Sequence, residues 1–367
     1  MIITKHKSLL FLIILSLFIV SNIITLNLFD MYNLIKYDWL PVFIITLIFL
    51  PFIIRYPYIL TRKKFFFIIL WEIFIISLFL SKFLNNDFNI FEFLLYFVLI
   101  PLVFFNSSIL LYKKTVIVAG FLSVLPFLLF LGQWNRLAIL LTISGITMIP
   151  YFSKMKSVYK YSYLIGLTFT VFLTEHRTSL VTLIIVISIT IMVSLLNNKK
   201  ISLKVILGRM GLSAILIGLI YLFYDNVLYS LFNKWGTYDR NTSDLNSLTS
   251  GRMDIWTNTV KDGISLFGKG EIYFEQRFGI YHAHNQFVQI LGAYGILSLL
   301  LYTIILIYII VLLFKNNKKT IYLYFFFTYF AIGITEYIVF INTFFIYPSI
   351  LFFVFLGSLI NEKIKSS

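Results

Sequence analysis

The sequence predicts an all-α polytopic membrane protein, and three observations carry that prediction. Of its 367 residues 60% are hydrophobic and only 12% charged, more apolar surface than a soluble domain buries. Apolar runs near the length that crosses hydrocarbon recur about twelve times along the chain. The basic residues gather in alternate connections between those runs, the pattern of the positive-inside rule.

The runs fall at 8–29, 39–60, 65–84, 90–111, 115–131, 137–152, 158–174, 178–196, 203–223, 294–314, 320–340 and 343–360. Lys5 and Lys7 precede the first, which is long and has no small-x-small cleavage site, so it reads as a retained span and not as a signal peptide. With the N-terminus inside, the cytoplasmic connections hold Lys5, Lys7, Arg55, Arg62, Lys63, Lys64, Lys113, Lys114, Lys154, Lys156, Lys160, Lys199, Lys200, Lys204, Lys315, Lys318, Lys319, Lys363 and Lys365, nineteen of the 30 basic residues. Of the 15 acidic residues only Glu362 falls on that side. The two biases agree on one topology, with both termini cytoplasmic. The net charge of +15 therefore sets orientation and meets anionic lipid, and calls for no nucleic acid.

One connection is far longer than the rest, and it divides the chain into helices 1–9 (1–223), an extracytoplasmic loop (224–283), and an interfacial start with helices 10–12 (284–367). Long loops carried by a rigid scaffold are where function concentrates. In this one, Met253, Ile255, Trp256, Val260 and Ile264 are spaced as one apolar helix face, suited to lying on a membrane surface. Gly268-Lys269-Gly270 reads as a turn, with an anion nest as the alternative, and Glu271 to Ile280 reads as a short extended piece. Too few apolar residues remain for an independent domain, so the loop should pack on the helices.

The loop ends in "HAHNQFVQILGAYGIL", residues 282–297. Asn285, Gln289 and Gly292 after His284 make a polar, small-residue stripe that should face protein or water. Gly292 and Gly295 allow close packing or a bend before the span. Imidazole is the usual proton acceptor near neutral pH, which makes His282 and His284 candidates for general-base chemistry. Hydrogen bonds to lipid headgroups are the plainer reading. Arg136, Arg177 and Arg252 all stand at the extracytoplasmic boundary, where guanidinium groups hold phosphate bidentately. Taken singly, each could equally snorkel or pair with Glu175 or Asp254. Glu72, within the third span, requires a partner or a cavity, while Glu92 and Glu336, near helix ends, are expected to stay in water.

With no cysteine, thiolate chemistry, disulfides and iron–sulfur clusters are excluded. The chain also lacks Asp-x-Asp, His-Glu-x-x-His and any tight carboxylate group outside the membrane, so a metal-independent, cofactor-free reaction is expected.

"HRTSLV" at Arg177, "SGRMDIW" at Arg252, "SLFGKG" at 265–270 and "HAHNQFVQILGAYGIL" together resemble the O-antigen ligase and polymerase superfamily, over roughly the last two-thirds of the chain. The resemblance implies a GT-C-like bundle in the cytoplasmic membrane with its active site facing outward. It implies a polyprenyl-diphosphate-linked oligosaccharide as substrate, entering from the bilayer, with a flippase and a chain-length co-polymerase as partners. Arg177, Arg252 and Arg136 would hold the diphosphate. His284 would be the base, His282 would assist, and Asn285 and Gln289 would support. Polymerase and ligase differ in acceptor, and the motifs do not separate them. The Ile, Phe, Lys and Asn bias fits an AT-rich, low-GC organism without lipopolysaccharide and tilts the reading to polymerase. A lipid-linked glycan transporter is the reading from another class, and the gathering of polar residues at one face speaks against it.

Overall fold

The computed structural model describes residues 61–105, 135–146, 157–174, 176–197, 251–262, 264–315, 320–336 and 346–361. The spans read at 8–29, 39–60, 115–131 and 203–223 lie outside the described residues, as do both termini. Most of the described residues are helical, with no strand among them. In chain order they form α1 (Arg62–Leu84), α2 (Ile90–Leu94), a π-turn (Leu95–Leu99), α3 (Ile100–Phe105), α4 (Asn135–Ile146), α5 (Ser157–Leu173) and α6 (Arg177–Asn197). After these come α7 (Arg252–Lys261), α8 (Tyr273–Phe278), α9 (Gln286–Gln289), a second π-turn (Ile290–Tyr294), α10 (Gly295–Lys315), α11 (Thr320–Thr335) and α12 (Ile346–Asn361). Among the described residues, two runs are long and apolar enough to span a bilayer by themselves, Arg62–Leu84 and Gln286–Lys315.

The backbone divides into two compact units, one made of the chain up to Leu183 with the chain from Asn258 onward, the other of Ile184–Thr257. The first unit holds the helix bundle. In it α1 packs on α10, α3 on α12, α5 on α4, and α11 on both α4 and α12. Thr61 caps α1, its hydroxyl accepting the Lys64 N–H at 3.3 Å. Phe67, Trp71, Phe74 and Leu78 are buried, while Phe65, Phe66, Ile69, Ile73, Ile76 and Leu80 on the same helix are exposed. A helix apolar all round, one side packed and the other open, is a membrane helix with a lipid face. Across the packed side, the Ser77 and Ser298 hydroxyls meet at 3.0 Å and the Ser81 hydroxyl donates to the Ala293 carbonyl at 2.9 Å. Small hydroxyl residues let apolar helices approach where hydrophobicity cannot drive them together. Aromatic rings fill the rest, with Phe325 stacked on Phe355 at 4.3 Å and Trp71 edge-on to Phe353 at 4.4 Å.

Two local readings are corrected. Residues 273–278, expected extended, form α8, closed by Gly279 in the left-handed conformation (φ 67°) with its N–H on the Glu275 carbonyl. That is the ordinary glycine stop of a helix. Lys64, assigned to a cytoplasmic connection, is fully buried in the first turn of α1, 5.7 Å from the Phe104 ring. The Gly268-Lys269-Gly270 stretch is a turn, as read, and the alternative of an anion nest does not fit, because the N–H groups of Lys269 and Gly270 are already engaged.

Those N–H groups bind the helix beside them. The second π-turn and the break at Gly295 (φ 87°, ψ 178°) interrupt the helical ladder within Gln286–Lys315. The carbonyls of Gly292 and Ala293 accept from Lys269 N at 2.9 Å and Gly270 N at 3.0 Å. In return Ile296 N and Leu297 N, which begin α10 and have no partner within it, donate to the Ser265 and Leu266 carbonyls at 3.0 and 3.3 Å. The approach is close enough to demand glycine. A Cβ on Gly268 (φ 74°) would lie 2.2 Å from the Ala293 carbonyl oxygen, and one on Gly295 would lie 2.4 Å from both Gly268 N and Leu266 O. The two glycine motifs, separate in sequence, are thus one interlock.

Candidate functional site

Glu336 is the centre of the site. It follows the last residue of α11, so the span read as 320–340 stops short of it. The expectation that it stays in water is overturned, for Glu336 is only 9% exposed. Three of the chain's four histidines surround it. His176 Nε2 lies 3.3 Å from Oε1, His284 Nδ1 lies 3.2 Å from Oε2, and His282 Nε2 lies 3.8 Å from Oε2. Burial alone would raise the Glu336 carboxyl. Hydrogen bonding from His176, His282 and His284 overrides that and holds it far below the usual carboxylate range. The group is therefore an ionised carboxylate, an acceptor only, and each imidazole facing it at hydrogen-bond distance must donate an N–H.

The local sequence explains the convergence. Asn285 caps α9, its side-chain oxygen accepting the N–H of Phe287 (2.9 Å) and Val288 (3.2 Å). Asn285 is spent on the helix start and reaches no imidazole through these bonds, so its support runs through the backbone. Gln289 acts similarly, its oxygen taking the N–H of buried Ala283 at 2.8 Å. Between these two anchors His284 is not on the helix at all. It turns in the left-handed region at φ 51°, uncommon for a residue with a side chain and found where structure around it compels it. The continuous polar stripe expected from His284 therefore begins only at α9. The His282 and His284 rings sit 4.3 Å apart by centroids. Buried Gln286 lies so close to α11 that a Cβ on Gly333 would be 2.4 Å from its amide. That contact sets the histidine loop beside Glu336, three residues further on.

The arginines divide. Arg177 is the first residue of α6 and Arg252 the first of α7. A helix N-terminus already carries partial positive charge, so a cation placed there is locally unfavourable and raises the attraction for an anion. Arg252 belongs to the second unit. Arg136 lies in α4. His282, His284 and Glu336 each offer an atom that could ligate a divalent ion, all within 4.8 Å of one another.

A second polar cluster joins α1, α2 and the loop before α8. Lys82, buried in the last turn of α1, lies 2.8 Å from Glu92 and 2.9 Å from Glu271, and Tyr294 donates to Glu271. Glu92, expected in water, is thus paired. Burial would raise the Glu271 carboxyl, but Lys82 and the hydroxyl of Tyr294 lower it. Asp87, between α1 and α2, is pushed up to about 6 by burial and then by the negative charge of Glu271. Sequence reasoning missed this cluster, and it missed Glu336 and His176, whose partners are 52 and 160 residues apart.

Residues 162–303 match the O-antigen ligase family. The matched stretch begins within α5 and ends within α10, so it contains His176, Arg177, Arg252, His282, His284 and Gln289 and leaves out Arg136 and Glu336. The match is consistent with the O-antigen ligase and polymerase superfamily, whose members are glycosyltransferase-like membrane enzymes concerned with polysaccharide biosynthesis. No curated protein matches it.

Proposed function

We propose that the chain polymerises polyprenyl-diphosphate-linked repeat units into a surface polysaccharide at the outer face of the cytoplasmic membrane, with His284 as general base. The observation that carries this reading is the Glu336–His284 pair. With Nδ1–H donated to the carboxylate, the proton-free nitrogen is Nε2, on a ring that is 33% exposed. That is the arrangement by which a buried carboxylate fixes the tautomer of a catalytic histidine and stabilises the imidazolium it becomes. Nε2 takes the proton of an acceptor sugar hydroxyl, and that oxygen attacks the anomeric carbon of the donor. The bond to the diphosphate breaks with inversion, and polyprenyl diphosphate leaves with its negative charge. Arg177 and Arg252, with Arg136 as a third, hold the diphosphate and stabilise that charge. His282 assists at the ring edge, and Asn285 and Gln289 hold the loop backbone.

The layout goes with the reading: helices over 1–223, a lid-like loop over 224–283, and the catalytic loop with the last helices over 284–367, in a GT-C-like bundle served by a flippase and a co-polymerase. Transfer of a finished chain to a terminal acceptor, the ligase reaction, uses the same groups. A deletion strain separates the two, since single repeat units left on lipid mean polymerase and long chains left on lipid mean ligase. His284→Ala, expected to reproduce the deletion, sinks the base assignment if polysaccharide of normal length persists. A metal-assisted form of the reaction is favoured by the three ligand atoms within 4.8 Å, but ligation through Nδ1 of His284 would exclude its N–H bond to Glu336. Inactivation by EDTA, reversed by zinc, would select that form.

A further inference from the structure

His176 stands immediately before α6 and does two things at once. Its Nδ1 accepts the backbone N–H of Ser179 at 3.3 Å and lies 2.7 Å from the Ser179 hydroxyl, while its own carbonyl accepts Leu180 N at 3.1 Å. The imidazole thus occupies the N-cap, where a hydroxyl or carboxamide is usual. A backbone N–H can only donate, so Nδ1 carries a lone pair and the ring proton is on Nε2. Nε2 faces Glu336 Oε1 at 3.3 Å. The two oxygens of the carboxylate are thereby divided, Oε1 for His176 and Oε2 for His284 and His282.

We propose that His176 is a positioning residue for catalysis, fixing Glu336 so that Oε2 holds the tautomer and direction of His284. The proposal rests on the reading of His284 as the base. His176 is 6% exposed, too buried to meet a sugar hydroxyl, and its action is through Glu336. Without its N–H, Oε1 loses a donor and the carboxylate is free to rotate and offer either oxygen to either of the remaining rings. The same ring caps the helix that starts with Arg177, so one side chain sets both the carboxylate and the beginning of the helix bearing a proposed diphosphate ligand.

Two substitutions separate the two bonds. His176→Asn keeps the cap, because a carboxamide oxygen reaches the Ser179 N–H, and is too short to reach Glu336. His176→Gln restores an N–H toward Glu336 and gives up the cap. The full-length protein in proteoliposomes, supplied with polyprenyl-diphosphate-linked repeat units, is assayed for kcat, KM and pH dependence. The Asn variant is expected to keep its unfolding temperature and lose about 10- to 100-fold in kcat with KM little changed, the size seen when a partner orienting a functional histidine is removed. Its pH–rate profile should also change shape. The Gln variant is expected to be less stable and to keep a third or more of wild-type kcat. The reverse order, Asn active with the wild-type profile and Gln slow, would make His176 a helix cap and nothing more, and either variant alone decides if the other fails to fold. His284→Ala, run in parallel, tells the failures apart: activity retained there removes the base reading and this proposal with it, whereas activity lost there with the reverse order removes this proposal only.

Discussion

Replacing Glu336 with glutamine is the most direct test of the carboxylate, because it changes charge and leaves shape. At 3.2 Å between His284 Nδ1 and Oε2, a carboxylate and an imidazolium attract by about 5 kcal/mol at an effective dielectric near 20. The partly exposed ring and the polarity of the new amide reduce that to about 2–3 kcal/mol of transition-state stabilisation, or ~30- to 150-fold in rate. The hydrogen bonds add to this. His176 presents a fixed N–H and so claims the amide oxygen, which leaves the amide NH2 facing His284. To accept from it, Nδ1 must give up its proton, the proton moves to Nε2, and the ring can no longer act as a base. The expected loss is therefore about 10²-fold or more in kcat, read from the rate at which lipid-linked repeat units are extended in proteoliposomes. The unfolding temperature is expected to fall as well, because a carboxylate held far below its ordinary range by its partners stabilises the fold and an amide forgoes that contribution, so the loss of kcat is read at a temperature where the variant is folded. A Glu336→Gln enzyme within about threefold of wild type would refute the reasoning, since neither charge nor tautomer would then matter.

Gly268→Ala combines a left-handed backbone with a clash, and is expected to destabilise by roughly 2–4 kcal/mol, against about 1–2 kcal/mol for Gly279→Ala. Gly279 has φ 67° but open space around it, so thermal unfolding of the two variants isolates the interlock. For Asp87 the sign follows from its raised pKa of about 6. Between its ordinary value of 3.8 and about 6 the folded chain holds the proton that the unfolded chain has lost, so this group's contribution to stability falls as pH rises through that window. Asp87→Asn, which keeps a donor toward Glu271, should then unfold at a higher temperature than wild type at pH 7, with no advantage below pH 4.

Hydrophobic length made much of the bundle legible. Residues read as a span at 178–196 form Arg177–Asn197, and 294–314 form Gly295–Lys315, because crossing a membrane sets a length that composition alone can report. The histidine motif was legible too, since two imidazoles at the mouth of an apolar run are out of place without a task. Glu336 was not. A carboxylate at a helix end carries no local sign of whether it will be solvated or enclosed, and what encloses it comes from residue 176 and from residues 282–284. His176 was hidden by its neighbour Arg177, the more obvious anion ligand. Residues 273–278, read as extended, form a helix of six residues, too short for a 3.6-residue periodicity to show in the sequence.

The π-turn at Ile290–Tyr294 holds one more residue than an α-helical turn would. That surplus residue coincides with the free carbonyls of Gly292 and Ala293 on which the Gly268–Gly270 turn is seated. Chain length and loop chemistry are thereby correlated. A variant of this chain lacking one residue between Gln286 and Ser298 would keep a run long enough to span a bilayer, but would have nowhere to seat that turn. The length of the segment between Gln286 and Ser298, and not its glycines alone, is then what seats the outer loop.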